Sequence, residues 1–239
     1  MVTENHKYKI IISCEHGGYQ VPPEYRKLFR GNQSVLQSHR GWDKGAMELA
    51  KELAEKIKAP LFSSVTTRLL VDLNRSPHHR NLFSEFTRGC DGKLKTEILA
   101  GFYYPYRKKL EDTVRKYLEA GDTVMHLSIH SFTPGLGKEI RRADIGLLYD
   151  PQRTGERVLC RNLQALLGYN AYGLIVRRNY PYKGTADGLT TYLRKKYDGS
   201  KYLGIEIEIN RKHANANRAH WNTLRKQIIN AVQLATSHL

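Results

Sequence analysis

The 239-residue chain has only three cysteines, Cys14, Cys90 and Cys160, and no two of them stand at zinc-knuckle or redox spacing. A cysteine-held metal is not expected, and the count fits a reducing compartment. No apolar run approaches the ~20 residues of a membrane span. The opening MVTENHKYKI lacks the charged start, apolar stretch and small-residue cleavage site of an export signal. The expectation is a soluble cytoplasmic protein with no membrane partner. There is no Pro/Gly/Ser-rich linker, composition shift, internal repeat or low-complexity segment, so residues 1–239 read as a single domain.

What is present is a normal globular composition: 40% hydrophobic, 26% charged, 19 Gly and 8 Pro, which excludes disorder, collagen and coiled-coil arrays. Lys and Arg number 39 against 23 Asp and Glu, a net charge of +16. An anionic partner follows: nucleic acid, phosphate or a carboxylate-bearing metabolite. The bases are scattered in twos and threes, as at Arg107, Lys108 and Lys109, and scattered charge reads as solvated surface. Nucleic acid is therefore not the expected partner. A non-catalytic basic module that binds anions or nucleic acid remains a competing reading, and it predicts salt-sensitive binding without a metal.

Short apolar runs alternate with stretches of helical period, the pattern of an α/β fold with a mostly parallel or mixed central sheet flanked by helices. Strands are predicted at Lys9–Ser13, Leu61–Thr66, Thr123–Ile129, Asp144–Tyr149, Ala171–Arg177 and Tyr202–Ile209, with Leu69–Leu73 a further strand or a continuation of the second. Helices are predicted from Asp43 to Ile57, over Leu94–Leu118 with a break at Pro105, and at Thr154–Leu167, Gly188–Tyr197 and Ala219–Ser237.

Polar residues fall where strands end. His16, His130 and the Glu206/Glu208 pair sit at or just past the ends of three predicted strands, and the carboxyl ends of an open parallel sheet converge on a crevice. Two imidazoles and a carboxylate suit zinc, which takes three protein ligands in catalytic sites and keeps a position for water. Asp43, after the Gly41-Trp42 turn, is the candidate third ligand; its other reading is a helix cap. His16 before Gly17-Gly18 is a ligand or an ordinary loop histidine. His130 directly after a buried strand is unfavourable without a partner. His126 lies on the same face, about 13 Å away by strand rise, and reads as a core histidine.

Glu206 and Glu208 alternate with Ile205, Ile207 and Ile209, so both carboxylates share one face of a strand. Glu208, nearer the strand end, is the candidate general base. Glu206 is expected to pair with an arginine or support the site, unless the strand is an edge with one wet face. The segment Arg68-Leu-Leu-Val-Asp-Leu-Asn-Arg75 offers Arg68, Asn74 and Arg75 as a carboxylate clamp, or a surface arginine in an ordinary turn. Arg141 and Arg142 are candidates for a second acidic contact, or a surface pair. His78 and His79 read as loop residues.

In order between about residue 13 and 210, SCEHGG followed by VPPEY, SHRGWDKGA, TRLLVDLNRS, SIHSF, RRADIGLLYD, NYPYKGT and GIEIEIN resemble the N-formylglutamate amidohydrolase family. The resemblance implies a zinc-dependent amide hydrolase with a phosphorylase/hydrolase-like fold related to zinc carboxypeptidases. One Zn2+ would be held by His16, Asp43 and His130, with Glu208 as base and Asn74-Arg75 on the carboxylate of a small acidic substrate. Carboxypeptidases carry a glutamate three residues after the first histidine; Tyr19 stands there, which is why Asp43, or less readily Glu15, must complete the set. HGG and the late Ser-Ile-His also resemble zinc-dependent N-acetylmuramoyl-L-alanine amidases. The missing export signal and the Asp-Leu-Asn-Arg segment count against that alternative.

Overall fold

A run of three isoleucines, apolar on both faces, forms the first strand of a sheet covered on both sides, β1 (Tyr8–Cys14). The computed structural model describes residues 8–168 and 172–237. The chain continues through α1 (Gln33–Gln37), α2 (Ala46–Ile57), β2 (Leu61–Ser63), α3 (Gly92–Ile98) and α4 (Tyr104–Glu119). Then follow β3 (Thr123–Phe132), a two-stranded hairpin of β4 (Gly135–Leu136) and β5 (Glu139–Ile140), β6 (Ile145–Leu148), α5 (Thr154–Leu167) and β7 (Val176–Arg178). The last elements are α6 (Leu189–Lys196), β8 (Tyr202–Asn210), α7 (Arg211–Ala214) and α8 (Arg218–Ser237).

The six-stranded sheet has the order β2-β1-β3-β8-β6-β7. It is mixed, because β6 runs antiparallel to β8 while the other pairs are parallel. β8 lies between β3 and β6, so the Glu206/Glu208 strand is interior and the edge-strand reading fails.

One face of the sheet packs Ile12, Leu127, Ile205 and Ile207 against α2, α5 and α8. The other face begins the same way, with Ile11, Val124 and Tyr202 under α4 and α6. Further along each strand, two residues on in β1 and β3 and four on in β8, its side chains turn polar: Ser13, His126 and Ser128, and Glu206 and Glu208. The register sets Ser13 beside Ser128, Ser128 beside Glu206 and His130 beside Glu208. The site grows from this polar patch at the carboxyl ends.

Four element predictions change. The second strand covers only Leu61–Ser63. Leu69–Leu73 forms no strand: it packs into a satellite core with Tyr25, Phe29, Leu36, Ile98 and Tyr103, and a short apolar run cannot by itself distinguish the two outcomes. The helix predicted over Leu94–Leu118 is two helices joined by a wider π turn at Leu99–Tyr103, with Pro105 in the first turn of α4, where no N–H is needed. Of the strand predicted at Ala171–Arg177, Ala171 lies outside the described residues and the strand itself is Val176–Arg178.

Candidate active site

β1 ends at Cys14, and the chain turns at His16-Gly17-Gly18 to run beside the exit of β2. A Cβ on Gly18 would stand 2.4 Å from the Val65 carbonyl oxygen, so this close approach requires glycine. The His16 carbonyl accepts the Asp43 N–H at 2.8 Å, tying the turn to the segment that leads into α2. Asp43 does not cap that helix. The position before Ala46 is Gly45, with no side-chain cap, and the Asp43 carboxylate points to the site instead.

His16, Asp43 and His130 are all buried, and one ligand-capable atom from each lies within 4.8 Å of the others. His16 Nε2 is 2.7 Å from Asp72 Oδ1, while its Nδ1 is buried, without a hydrogen-bond partner and 3.5 Å from Asp43 Oδ2. His130 mirrors it: Nδ1 is 2.9 Å from Asp43 Oδ2, and Nε2 is 3.1 Å from Glu15 Oε2 and 2.9 Å from Ser128 Oγ. Each imidazole thus has a carboxylate behind its outer nitrogen and turns its inner nitrogen toward Asp43. That is the arrangement in which outer-shell carboxylates fix the tautomer of metal-binding histidines. Glu15 itself accepts hydrogen bonds from Ser128 Oγ at 2.8 Å and Tyr106 Oη at 3.0 Å, so it lies behind His130 and not in the ligand group.

The electrostatics favour positive charge at the centre. Burial of His130 opposes its protonation but is outweighed by the Asp43 and Glu15 carboxylates, which raise its pKa well above the usual imidazole value. Burial likewise opposes the ionisation of Asp43 and is outweighed by its bond to His130 and by the neighbouring His16 and Arg68. A buried, unpartnered His16 Nδ1 beside an ionised carboxylate and a second imidazole is a donor set that fits a divalent cation.

Glu208 is only 5% exposed, and its Oε2 has no partner. Burial pushes its carboxyl up to about 8; His130 pulls it back, and Asp43 and Glu206 add to the rise. Glu206 Oε1 accepts the Thr190 hydroxyl at 2.6 Å, so its partner is a threonine and not the expected arginine.

The Arg68–Arg75 segment borders the same space. Arg68 holds Asp72 Oδ2 through Nη2 at 2.7 Å and Nε at 3.2 Å, with Nη1 3.6 Å from Asp43 Oδ1. Its guanidinium is thus engaged by the carboxylate that orients His16. Asn74 Oδ1 accepts the Leu189 N–H at 2.6 Å, which aims the amide nitrogen inward, 3.5 Å from His130 Nε2. Arg75 donates from Nη1 to the Asp187 carbonyl at 2.8 Å. Behind this segment stands Arg107, one of the bases read as solvated surface, and the structure corrects that reading. It is buried between the rings of Tyr103 and Tyr192, and Nη1 donates to the carbonyls of Leu73 at 3.1 Å and Arg75 at 3.2 Å.

A cavity of about 230 Å³ is lined by His16, Asp43, His130, Glu206 and Glu208 on one side and Arg68, Asn74 and Arg75 on another. The size suits a ligand smaller than the drug-sized molecules of ~300–1,000 Å³ pockets. Arg141 is buried beside this cavity without lining it; it donates to Glu139 at 3.2 Å and to the Tyr182 hydroxyl at 3.0 Å. Arg142 is exposed and does not line it. His126 is a core residue as expected, bonded to Ser13 Oγ and Tyr202 Oη, and burial lowers its pKa to about 4. Sequence reasoning missed the outer roles of Asp72 and Glu15. The available signal was that each is an acid placed next to a candidate site residue, inside a segment apolar enough to be buried.

The family model described as N-formylglutamate amidohydrolase matches residues 8–214. A crystal structure of the gene product Atu2144 from Agrobacterium tumefaciens is similar at a TM-score of 0.82 and 27% identity, covering 98% of this chain and 92% of its own. The N-formylglutamate amidohydrolase of Ralstonia eutropha JMP134 superposes at a TM-score of 0.70 and 18% identity, covering 97% of this chain and 94% of its own, which shows a shared fold. No curated protein matches the sequence.

Proposed function

This chain belongs to the N-formylglutamate amidohydrolase family, and from that premise we propose that it is a zinc-dependent hydrolase of the amide bond in N-acyl, above all N-formyl, amino acids such as N-formylglutamate. The observation that carries the reading is the convergence of His16, Asp43 and His130 beside Glu208, a buried carboxyl with one oxygen free of any partner. The alternation of apolar and polar positions on β3 and β8 sets His130 beside Glu208, and besides Glu208 the only acid of β8 at the cavity is Glu206.

His16, Asp43 and His130 would hold one zinc ion. Bound there, it supplies Lewis acidity, bringing the pKa of a water toward ~7 and polarising the scissile carbonyl. Glu208 accepts the proton of the attacking water and returns it to the departing amine nitrogen as the C–N bond breaks. Asp72 and Glu15 keep both imidazoles in one tautomer and orientation. The Asn74 amide nitrogen and the Arg75 guanidinium bind the substrate α-carboxylate, and Arg68 adds positive charge at the same wall. The products are an amino acid and a carboxylic acid, formate for an N-formyl substrate.

The test is metal content of the purified protein beside a screen of N-formyl- and N-acetyl-amino acids. The expected result is about one zinc per chain and release of free amine from N-formyl substrates. Protein that holds no metal after zinc loading and cleaves none of the panel contradicts the reading.

A further inference from the structure

A second cavity, of about 200 Å³, shares none of its lining residues with the first. It lies where the end of β2, the Leu69–Leu73 segment and the π turn before α4 meet. Val71, Leu73, Phe102 and Pro105 give it apolar walls, and Ser64 and Thr66 bring hydroxyl-bearing side chains to it. A single π turn within a helix is frequently a mark of a functional site. Gly101, in that turn, leaves room: a Cβ there would meet no atom within 4 Å. Among the described residues no charged side chain borders this cavity, in a chain of which 26% is charged. An ion leaving water for such a place would find no counter-charge. The occupant that fits is therefore neutral, apolar over most of its surface, and equipped with one hydrogen-bonding group.

The walls of this cavity reach both carboxylates that stand behind the imidazoles. Val71 and Leu73 flank Asp72, whose Oδ1 is 2.7 Å from His16 Nε2. Tyr106, another lining residue, extends to Glu15, whose Oε2 is 3.1 Å from His130 Nε2. Tyr106 Oη lies 3.0 Å from Glu15 Oε1 and 3.1 Å from the Phe62 carbonyl oxygen. Both are acceptors and a hydroxyl carries one proton, so Tyr106 gives a full hydrogen bond to only one of them at a time. That hydroxyl is an element with two arrangements, one that holds Glu15 and one that releases it. While the cavity is empty, Tyr106 and the Val71–Leu73 segment lack packing partners on that side. A ligand that fills it orders both supports, and a metal bound afterwards has less ordering left to do.

We propose that the cavity between β2 and the π turn is a regulatory site for a small neutral amphiphile, and that its occupant acts on His130 through Tyr106 and Glu15 and on His16 through the segment that carries Asp72. Its effect on zinc rests on the metal site proposed above, whereas its effect on the two imidazoles does not.

The test uses the full-length protein, metal-free and zinc-loaded, with benzyl alcohol as the probe and benzoate as a charged molecule of similar size. In the metal-free protein benzyl alcohol is expected to move the NMR amide signals of Val71, Leu73 and Phe102 with a Kd of about 1 mM or below. The imidazole nitrogen signals of His130 should move with them, and benzoate should leave the three amides unmoved. G101L, which puts a side chain into the open space, should abolish both responses. Y106F should keep the response of the amides and lose the one at His130. With zinc present, the probe should tighten zinc binding about fivefold or more in chelator competition, and zinc should tighten probe binding by the same factor, as linkage requires. Amides that do not respond, or that respond equally to benzoate or in G101L, overturn the site. A His130 signal indifferent to the probe, a His130 response that survives Y106F, or a zinc affinity that a bound probe leaves unchanged overturns its regulatory role. A protein that binds no zinc contradicts the proposed hydrolysis instead, and the metal-free measurements still decide this site.

Discussion

At the scale of single residues, the decisive distinction is between groups that face the cavity and groups that hold them. Glu208 belongs to the first kind. Glu208→Gln should keep its zinc and lose about 10²–10⁴-fold in kcat/KM, measured by metal analysis beside turnover; a variant with near-normal turnover, or the same loss confined to Glu206→Gln, moves the base elsewhere. Asp72 belongs to the second. Asp72→Asn removes the carboxylate from His16 Nε2 and should weaken zinc binding about 10- to 100-fold by chelator competition, whereas unchanged affinity contradicts its orienting role. His16, His130 and Glu208 were legible because a polar side chain at the end of an apolar strand costs free energy without a partner. Asp43 was legible only as a choice between cap and ligand, and its carboxylate settles on His130 Nδ1 and the Ser131 N–H. Arg107 was misread, since nothing in a run of three bases tells which one turns inward between two tyrosines 4 positions before and 85 after it in the chain.

At the scale of elements, the loop from residue 179 to 188 depends on a buried ion pair. Arg194 on α6 donates from Nε to Glu156 on α5 at 3.0 Å and from its other nitrogens to the Gly184 and Gly204 carbonyls, joining two helices, a strand and the loop. Arg194→Ala leaves Glu156 buried without its charge partner and should cost about 3–5 kcal/mol, read from urea denaturation; a loss below about 1 kcal/mol would assign the pair no more weight than a surface one. The strand pattern was legible where the run was long, as in β3 and β8, because both faces of an interior strand repeat the same alternation for nine or ten residues. It failed at Leu69–Leu73, where four apolar residues fill a satellite core under the loops just as well as they would fill a sheet.

At the scale of the whole molecule, the mixed sheet sets where Arg141 and Arg142, the candidates for a second acidic contact, lie, and neither lines the cavity. β6 returns antiparallel to β8, so its entry, near Arg141, Arg142 and Asp144, lies beside the carboxyl end of β8. There Asn210 Nδ2 donates to the Arg141 and Ala143 carbonyls, and Asp144 accepts from His213 at 2.9 Å and pairs with the solvent-open Lys212. Burial alone would raise the Asp144 carboxyl, but these partners outweigh it and hold the carboxyl well below its usual range. With a folded-state pKa below the unfolded value of ~3.9, its stabilisation is complete above that pH and is lost as the pH falls toward the folded value. The stability difference between wild type and Asp144→Asn, about 1 kcal/mol near neutrality after solvent screening, should therefore shrink below pH ~4 in denaturation series; a constant difference contradicts the assignment. The central claim is that residues 16, 43 and 130, drawn from three separate parts of the chain, hold one catalytic ion. Zinc content and N-formyl-amino-acid hydrolysis of His130→Ala, measured side by side with the wild type, test it most directly: loss of both in a folded protein is the predicted result, and a variant that keeps its zinc and its turnover would contradict it.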